Sequence, residues 1–173
     1  VPENRKEQGL FLDHSVEDNV AISALDRFVS AGVIRRQERR SAVLGEMERL
    51  RLRLNAVDLP VMALSGGNQQ KAALARWLLR DCDVLILDEP TRGVDIGAKR
   101  EIYEQIDGLA RAGKAILVIS SDLPEAIGIS DRLLVMRQGR IVAELESAGT
   151  SEEEVMLHAT GTAASAANTG AQA

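Results

Sequence analysis

The chain has 173 residues, a formal net charge of −5 and an apolar fraction of 45%, with aromatic residues making up only 2% of the chain. This length suffices for one globular domain, whose core must be aliphatic. The acidic balance excludes a general attraction to nucleic acid. No apolar run approaches the roughly 18–20 residues of a membrane span, there is no signal peptide, and the single cysteine, Cys82, excludes an internal disulfide. We expect a soluble chain from a reducing compartment.

The N-terminal stretch predicts a loop followed by a short helix. Proline, glycine and charged residues dominate Val1–His14. Ser15-Val-Glu-Asp18 resembles a capping box with Asp in the place of Glu or Gln, and it leads into a predicted helix over Asn19–Val29 that Gly32 ends. Because the chain begins with Val and no secondary-structure element precedes VPENRK, we expect a fragment of a longer protein.

The longest helical pattern covers Arg35–Leu54. Its apolar residues fall at helical spacing and predict one buried stripe of four side chains: Leu44, Met47, Leu50 and Leu54. The same stretch holds seven arginines against three glutamates: Arg35, Arg36, Arg39, Arg40, Arg49, Arg51 and Arg53. A solvated face is the favoured interpretation over nucleic-acid binding. Docking of a partner protein is the third possibility.

The first candidate chemical site is LSGGNQQK. It predicts a helix over Gly66–Arg80 with Ser65 as its N-cap. The first N–H groups of a helix lack partners, and Gly66 and Gly67 let an anion approach them closely, so the pattern is suited to a phosphate. Taken alone the signal is weak, because Ser-Gly-Gly before a helix is more often an ordinary loop and cap. The following Asn-Gln-Gln-Lys, which includes Gln69, is richer in donors than a cap requires.

The second candidate site is DVLILDEP. A turn at Asp81–Asp83 precedes an apolar strand, Val84–Leu87, which we predict to be buried on both faces as in a parallel sheet. The carboxyl end of such a strand faces the ligand crevice. Asp88 there suits Mg²⁺, and Glu89, expected to point the other way, suits polarising an attacking water. Two solvated acids at a strand end remain the alternative.

The remaining elements complete an alternating α/β pattern. A helix over Gly97–Ala112 ends at Gly113, and its inward-facing side chains are Ile102, Ile106 and Leu109. Further predicted elements are a strand, a short helix, a hairpin and a last helix: Ala115–Ile119, Pro124–Ile129, Leu133–Met136 with Ile141–Leu145, and a start at Thr150–Glu154. Strand and helix in alternation predict a doubly wound sheet, to which the hairpin adds an antiparallel edge.

Together these stretches resemble the nucleotide-binding domain of ABC transporters. LSGGNQQK is similar to the signature motif of that family, VLILDEP to its Walker B strand with the catalytic Glu, and Gly93-Val94-Asp95 to its D-loop. The closer resemblance is to the ATPases of ribose, galactose and xylose importers, whose C-terminal halves carry NQQK and EPTRGVDIGAK. VPENRK resembles their Q-loop, with Glu3 in the place of Gln.

The resemblance implies an α/β fold: a P-loop NTPase-like, doubly wound, mostly parallel sheet, lacking its N-terminal part, with a small helical subdomain. It implies a partial domain over 1–146 with the helical subdomain at about 15–60. A short C-terminal helix over 147–158 follows, and the composition of 159–173 indicates a disordered tail.

Two departures from the family pattern stand out. G-x-x-x-x-G-K-[ST], the Walker A motif that holds the β- and γ-phosphates, does not occur in the 173 residues. The family's switch His is replaced by Ser121, which cannot exchange a proton near neutral pH as His does. Sugar importers of this type resemble the chain in this respect.

The resemblance implies roles for the singled-out residues. Ser65, Gly66, Gly67 and Gln69 would contact the ATP of a partner domain, Asp88 would bind Mg²⁺, and Glu89 would activate water, with Ser121 at the switch position. Glu3 and Asp95 would complete the ATP site and the domain interface. The implied partners are membrane permease subunits, a second ABC domain upstream in the same chain and, indirectly, a periplasmic sugar-binding protein, with no nucleic acid.

Three functions follow as hypotheses. The chain is part of an ATP-hydrolysing subunit for monosaccharide import, peripheral on the cytoplasmic face of the membrane. Alternatively it is a non-hydrolysing half whose signature motif completes a partner's ATP site. Glu89 favours the first and Ser121 the second. A soluble ABC ATPase of DNA repair or translation would need long insertions or a second basic surface, and the sequence has neither.

Overall fold

A computed structural model describes residues 1–161. The chain divides into two compact units, Val1–Ile119 and a second unit from Ser120 onward. The division falls inside the range 1–146 that the sequence predicts as one domain. The predicted tail lies outside the described residues from residue 162 onward. Its first two residues, Ala159 and Thr160, belong to the last helix.

The first unit begins with a helical region. Arg5–Gly9 forms one wide helical turn where we predicted a loop. The regular elements that follow, in chain order, are α1 Val16–Ala21, β1 Val29–Ser30, β2 Val33–Ile34 and α2 Arg36–Arg49, with short 3₁₀ turns at Ile22–Phe28 and Leu54–Ala56. Ser15 caps α1 as predicted, since its Oγ accepts the N–H of Asp18 at 3.0 Å.

The helix predicted over Asn19–Val29 is wrong in its extent. It breaks up after Ala21 into a 3₁₀ segment, and the chain then makes a two-residue hairpin between β1 and β2. Ala31 and Gly32 occupy the turn with φ of 49° and 79°. This left-handed pair is what a tight hairpin demands, so Gly32 serves the hairpin and does not end a helix.

The stripe predicted along α2 is only partly correct. Val43, Met47 and Leu50 are fully buried. Leu54 lies beyond the end of α2 and is 44% exposed, so it does not belong to the buried stripe. The helical region closes on itself, because Ser15 and Pro60 form an antiparallel bridge and the Val16 N–H donates to the Leu59 carbonyl at 3.0 Å. The chain therefore enters and leaves this region at one place, close to the limits 15 and 60.

The rest of the first unit is an α/β layer. It comprises α3 Gly66–Arg80, β3 Val84–Asp88, α4 Ile96–Arg111 and β4 Ala115–Ile119. β3 and β4 pair in parallel through the α4 crossover, with Val84 opposite Ala115 and Asp88 opposite Ile119. As predicted, Ile102, Ile106 and Leu109 of α4 face inward, and Gly113 follows the helix with φ of 87°.

Within residues 1–119 only one face of the parallel pair is covered, so the prediction that Val84–Leu87 is buried on both faces is wrong for this part of the chain. Leu85 and Leu87 are buried. The alternate side chains are about half exposed on both strands: Val84, Ile86, Leu117 and Ile119. A parallel sheet normally has helices on both faces, and among the described residues of this unit none covers the second one.

The second unit packs two helices on a hairpin. Its elements are α5 Leu123–Ile129, β5 Arg132–Arg137, β6 Arg140–Glu146 and α6 Glu152–Thr160. β5 and β6 pair with each other in an antiparallel sheet of their own, so the hairpin does not add an edge to the parallel pair. Leu133, Val135 and Val155 form its core.

Candidate functional site

The N-terminal end of α3 carries the first candidate site. Ser65 occupies the N-cap position with extended backbone angles and is exposed, and its hydroxyl accepts no backbone N–H of the helix. The first N–H groups of a helix have no acceptors within it and carry a partial positive charge. This end of α3 therefore offers a free hydroxyl beside unpaired amides, an arrangement suited to an anion.

The two glycines after Ser65 allow close packing of α3 against its neighbours. A Cβ on Gly66 would lie 2.9 Å from Nη2 of Arg5 and 3.0 Å from the Gly93 carbonyl oxygen. A Cβ on Gly67 would lie 2.6 Å from the Ala98 Cβ, and Gly67 is buried. Of the two, only the half-buried Gly66 lies toward the surface, so Gly67 supports the site mainly through packing.

Gln69, expected to contact the nucleotide, lies inside the protein instead. It is 5% exposed, and its Nε2 donates to the carbonyl oxygens of Val61 and Leu64 at 3.3 and 3.2 Å. These bonds hold the loop that leads into Ser65. We therefore replace the interpretation of Gln69 as an ATP contact with one as a support for the loop.

Lys71 also has an internal role. It is 3% exposed and forms an ion pair with Glu101 of α4. The side chains of Asn68-Gln69-Gln70-Lys71 were predicted as phosphate donors. Two of them, Gln69 and Lys71, instead bind other parts of the protein. Helical periodicity accounts for this in part, because position 69 lies one turn from the N-cap and Lys71 lies on the face toward α4.

The two acids lie where the sequence predicts, at the carboxyl end of β3. Asp88 is the last strand residue and is half-buried. Glu89 is also half-buried and has φ of 46°, although its N–H still donates to the Ile119 carbonyl at 2.8 Å. A left-handed glutamate costs on the order of 1 kcal/mol, and such residues cluster at functional sites. Because Glu89 is no longer extended, strand alternation does not set its direction.

The N-terminal segment lies beside these acids. The Asp88 N–H donates to the Val1 carbonyl at 3.0 Å, which places Glu3 near the same end of β3. The carboxylate of Glu3 is exposed and forms an ion pair with Arg92. Glu3 is thus held by Arg92 of the turn that follows the acids, a contact that no sequence pattern predicts.

Arg5 is a second residue that the sequence did not reveal. It is 8% exposed; its Nη1 donates to the Arg92 carbonyl at 2.8 Å, and its Nη2 donates to the Gly93 carbonyl at 3.4 Å. Burial lowers the pKa of this guanidinium. Nothing in the pattern VPENRK distinguishes a buried arginine from an exposed one, so no signal could have found it.

The D-loop acid has a clear structural partner. Asp95 is exposed and caps α4, since its Oδ1 accepts the Ala98 N–H at 2.9 Å. The structure thus brings together the start of α3, the turn at Arg92–Gly93 and the segment from Glu3 to Arg5. Ser121 belongs to the second unit, where it is exposed next to Ser120, whose hydroxyl donates to Glu125.

The donor chemistry fits a nucleotide-bound Mg²⁺. Within residues 1–161 no three His, Cys, Asp or Glu side chains form a group that could hold a metal ion. Mg²⁺ that bridges the phosphates of a nucleotide uses one or two carboxylates and water. Asp88, half-buried at the end of a strand, is a carboxylate of that kind.

The arginines of the helical region are mostly occupied. Arg39 and Arg40 both contact the buried carboxylate of Glu17, and Arg40 also forms paired bonds with Asp58 at 2.6 and 2.7 Å. Arg35, Arg49 and Arg51 have carboxylate partners as well. Paired charges have less to offer nucleic-acid phosphates, which favours the solvated face or protein docking.

A family model and individual relatives match this chain. The model for ABC transporters covers residues 3–92, more than half of the chain. The chain belongs to the ABC transporter family. Ribose import ATP-binding protein RbsA of Geobacillus kaustophilus is 48% identical over 161 residues, which is 93% of this chain and 33% of that protein. The putative ribose/galactose/methyl galactoside import ATP-binding protein 1 of Rhizobium meliloti is 49% identical over 156 residues, 90% of this chain and 31% of that protein.

Solved structures show the same fold. CbiO1 of Clostridium perfringens, part of the ABC transporter complex CbiONQ, superimposes with a TM-score of 0.70 at 27% identity, covering 87% of this chain and 58% of that one. The dimeric ATP-binding cassette MJ0796 bound to ADP and Pi gives a TM-score of 0.70 at 24% identity, covering 83% and 62%. The P-loop NTPase-like α/β fold is therefore confirmed.

These matches confirm the resemblance to the ribose and galactose importer group. The ABC chain spans about a third of the length of the curated relatives it matches. Their names describe sugar import ATP-binding proteins, and none of them describes a non-hydrolysing half. Within residues 1–161 no helix is both long and apolar enough to cross a membrane.

Proposed function

We propose that the ABC chain is part of the ATPase subunit of a monosaccharide importer, with its residues divided between two ATP pockets. Its support is the end of α3, where the exposed Ser65 leaves its hydroxyl uncommitted and Gly66 lies against the Gly93 carbonyl. Ser65 and the amides of this end would donate hydrogen bonds to the γ-phosphate of ATP on a second ABC domain.

The acids at the end of β3 would act in the other pocket. Mg²⁺ supplies charge neutralisation for the phosphates when it is bound there, and Asp88 would hold it. Glu89 would accept a proton from the attacking water. Its left-handed backbone sets the direction of its Cα–Cβ bond. Glu3 would stay beside this pocket, held by Arg92. Asp95 would hold the start of α4 at the domain interface.

The proposal extends to the partners that the resemblance to sugar importers implies. A second ABC domain of the same polypeptide would provide the phosphate-binding loop opposite Ser65. Membrane permease subunits would dock on the helical region, whose Arg36 is exposed, and a periplasmic sugar-binding protein would act through them. The chain would then work on the cytoplasmic face of the membrane.

The test uses the complete polypeptide that carries these residues. Glu89→Gln is expected to lower ATP turnover by about 10²–10⁴-fold and to leave unhydrolysed ATP trapped after rapid gel filtration. Glu153→Gln, the same change on an exposed residue of α6, is the control and is expected to behave as the wild type. Unchanged turnover in Glu89→Gln would contradict a hydrolytic role.

A second variant tests the other pocket. Ser65→Arg places a bulky cation where the γ-phosphate would bind and is expected to lower turnover by about 10²-fold. Ala110→Arg adds the same side chain on an exposed position of α4 and serves as the control. Loss of turnover in Ser65→Arg but not in Glu89→Gln would favour the non-hydrolysing half, the alternative that Ser121 suggests.

A further inference from the structure

Arg5 occupies an unusual position for a cation. It is 8% exposed, and its Nε is buried without a hydrogen-bond partner. Burying a charge is costly unless it is well paired. Yet its acceptors are the carbonyl oxygens of Arg92 and Gly93. An arginine held by carbonyl groups gains less than one held by a carboxylate, so stability alone explains this residue poorly.

The surroundings of Arg5 join parts of both proposed pockets. Nη2 of Arg5 lies against Gly66, where an added Cβ would be 2.9 Å away, and the Gly93 carbonyl lies 3.0 Å from the same point. Arg92, whose carbonyl accepts from Arg5, lies three residues after Glu89. Glu3, two residues before Arg5, forms an ion pair with the side chain of Arg92.

We infer that Arg5 is a positioning residue that fixes the signature end of α3 to the turn Arg92–Gly93 and thereby couples the two ATP pockets. The inference rests on the proposed function. A shift of the turn beside Glu89 in one pocket moves the Arg5 guanidinium, and the guanidinium carries the shift to Gly66, which serves the other. The planar guanidinium donates to two carbonyls at once, which a lysine ammonium does less well.

The experiment measures ATP turnover of the complete polypeptide, assembled with its membrane subunits, against ATP concentration. Arg5→Met removes the donors but keeps an apolar side chain of similar length. It is expected to raise the half-saturating ATP concentration about tenfold, within the usual range of coupling between sites, and to lower the Hill coefficient toward 1. Arg5→Lys is expected to recover part of both changes. Arg111→Met, at the exposed end of α4, is the matched control and is expected to match the wild type.

The readouts separate positioning from mere stability. Loss of folded protein alone would lower the maximal rate per total protein and leave the half-saturating concentration and the Hill coefficient unchanged, and that result in Arg5→Met would overturn the inference. If Arg5→Met does not assemble, Arg5→Lys is measured by the same two values. Failure of every Arg5 variant to assemble would also overturn it, because the residue would then serve stability alone.

The proposed function can fail separately in the same assay. If Ser65→Arg abolishes turnover while Arg5→Met gives the wild-type curve, the inference about Arg5 is wrong and the two-pocket proposal stands. If Ser65→Arg turns over ATP as the wild type does, the two-pocket proposal itself is wrong. The inference is upheld when Ser65→Arg is inactive and Arg5→Met loses cooperativity.

Discussion

Gly67 leaves no room for a side chain. A Cβ there would lie 2.6 Å from the Ala98 Cβ of α4, a contact that neither side chain can relieve by rotating. The backbone of α3 or α4 must shift to admit it. The second signature glycine is therefore required by helix packing as well as by any ligand.

Gly67→Ala is expected to lower the free energy of unfolding by about 1–3 kcal/mol, because overpacking outweighs the gain in helix propensity. Gly45→Ala is the matched control. Gly45 lies inside α2 with nothing within 4 Å of its added Cβ, so that change is expected to stabilise by about 0.5–1 kcal/mol. Urea unfolding followed by circular dichroism measures both. If Gly67→Ala were as stable as Gly45→Ala, the backbones of α3 and α4 would move apart at little cost, and the packing argument would be wrong.

Four residues show how far a motif determines the site. Ser65 and Asp88 lie where their patterns predict, because a helix cap and the end of a parallel strand are set by local sequence. Gln69 turns inward to carbonyl groups, and Arg5 is buried against a turn almost ninety residues away along the chain. Tertiary packing decides both of those placements, and no local pattern encodes it.

At the scale of elements, α2 contains a carboxylate in an unfavourable place. One oxygen of Glu46 is buried without a hydrogen-bond partner, and the nearest cation, Arg49, is 3.9 Å away. Burial raises the pKa of the Glu46 carboxyl, with a lesser contribution from Asp81, against the lowering effect of Arg49 and Arg27. The charged form therefore destabilises the fold.

The sign of the pH dependence follows from the raised pKa. Above the folded-state pKa the penalty is fully present. As the pH falls, the folded state takes up the proton first, so the penalty shrinks, and it is gone below the unfolded value near 4.5. Glu46→Gln is thus expected to stabilise at neutral pH by on the order of 1 kcal/mol and to give no advantage near pH 4.

Urea unfolding of Glu46→Gln and the wild type between pH 4 and pH 8 measures this effect. Glu48→Gln removes the same charge from an exposed position of α2 and is expected to stay within about 0.5 kcal/mol of the wild type. A stabilisation by Glu46→Gln that is equal at pH 4 and pH 8 would show that the carboxylate pays no burial penalty.

The elements differ in how well the sequence predicts them. α3 and α4 have the predicted limits to within a residue, since each combines a cap, a strong apolar period and a terminal turn. α1 ends at Ala21, earlier than predicted, because the chain continues as a 3₁₀ segment and then turns back in the β1–β2 hairpin, where Gly32 has a positive φ that suits glycine. β3 is apolar from Val84 to Leu87, so the sequence predicts two covered faces, whereas within residues 1–119 one face is covered.

At the scale of the whole molecule, the sequence contains some of the motifs of an ATP site and lacks the one that binds the phosphates. The acids, the signature end of α3 and the D-loop are present, but G-x-x-x-x-G-K-[ST] does not occur in the 173 residues. Without that loop, nothing in the sequence matches the element that holds β- and γ-phosphates opposite Asp88 and Glu89. A site that positions water but not phosphate gains little catalysis, because phosphoryl transfer depends on positioning both.

The purified 173-residue polypeptide is therefore expected to release no phosphate from MgATP above the buffer rate, whereas under the proposed function the complete polypeptide that carries it is expected to turn ATP over. Release of phosphate at millimolar MgATP measures both. The decisive control is Glu89→Gln in the 173-residue polypeptide, which separates its own activity from that of a contaminant. Turnover by the purified chain that Glu89→Gln removes would mean that its own residues bind the phosphates, and the division of roles between two pockets would be wrong.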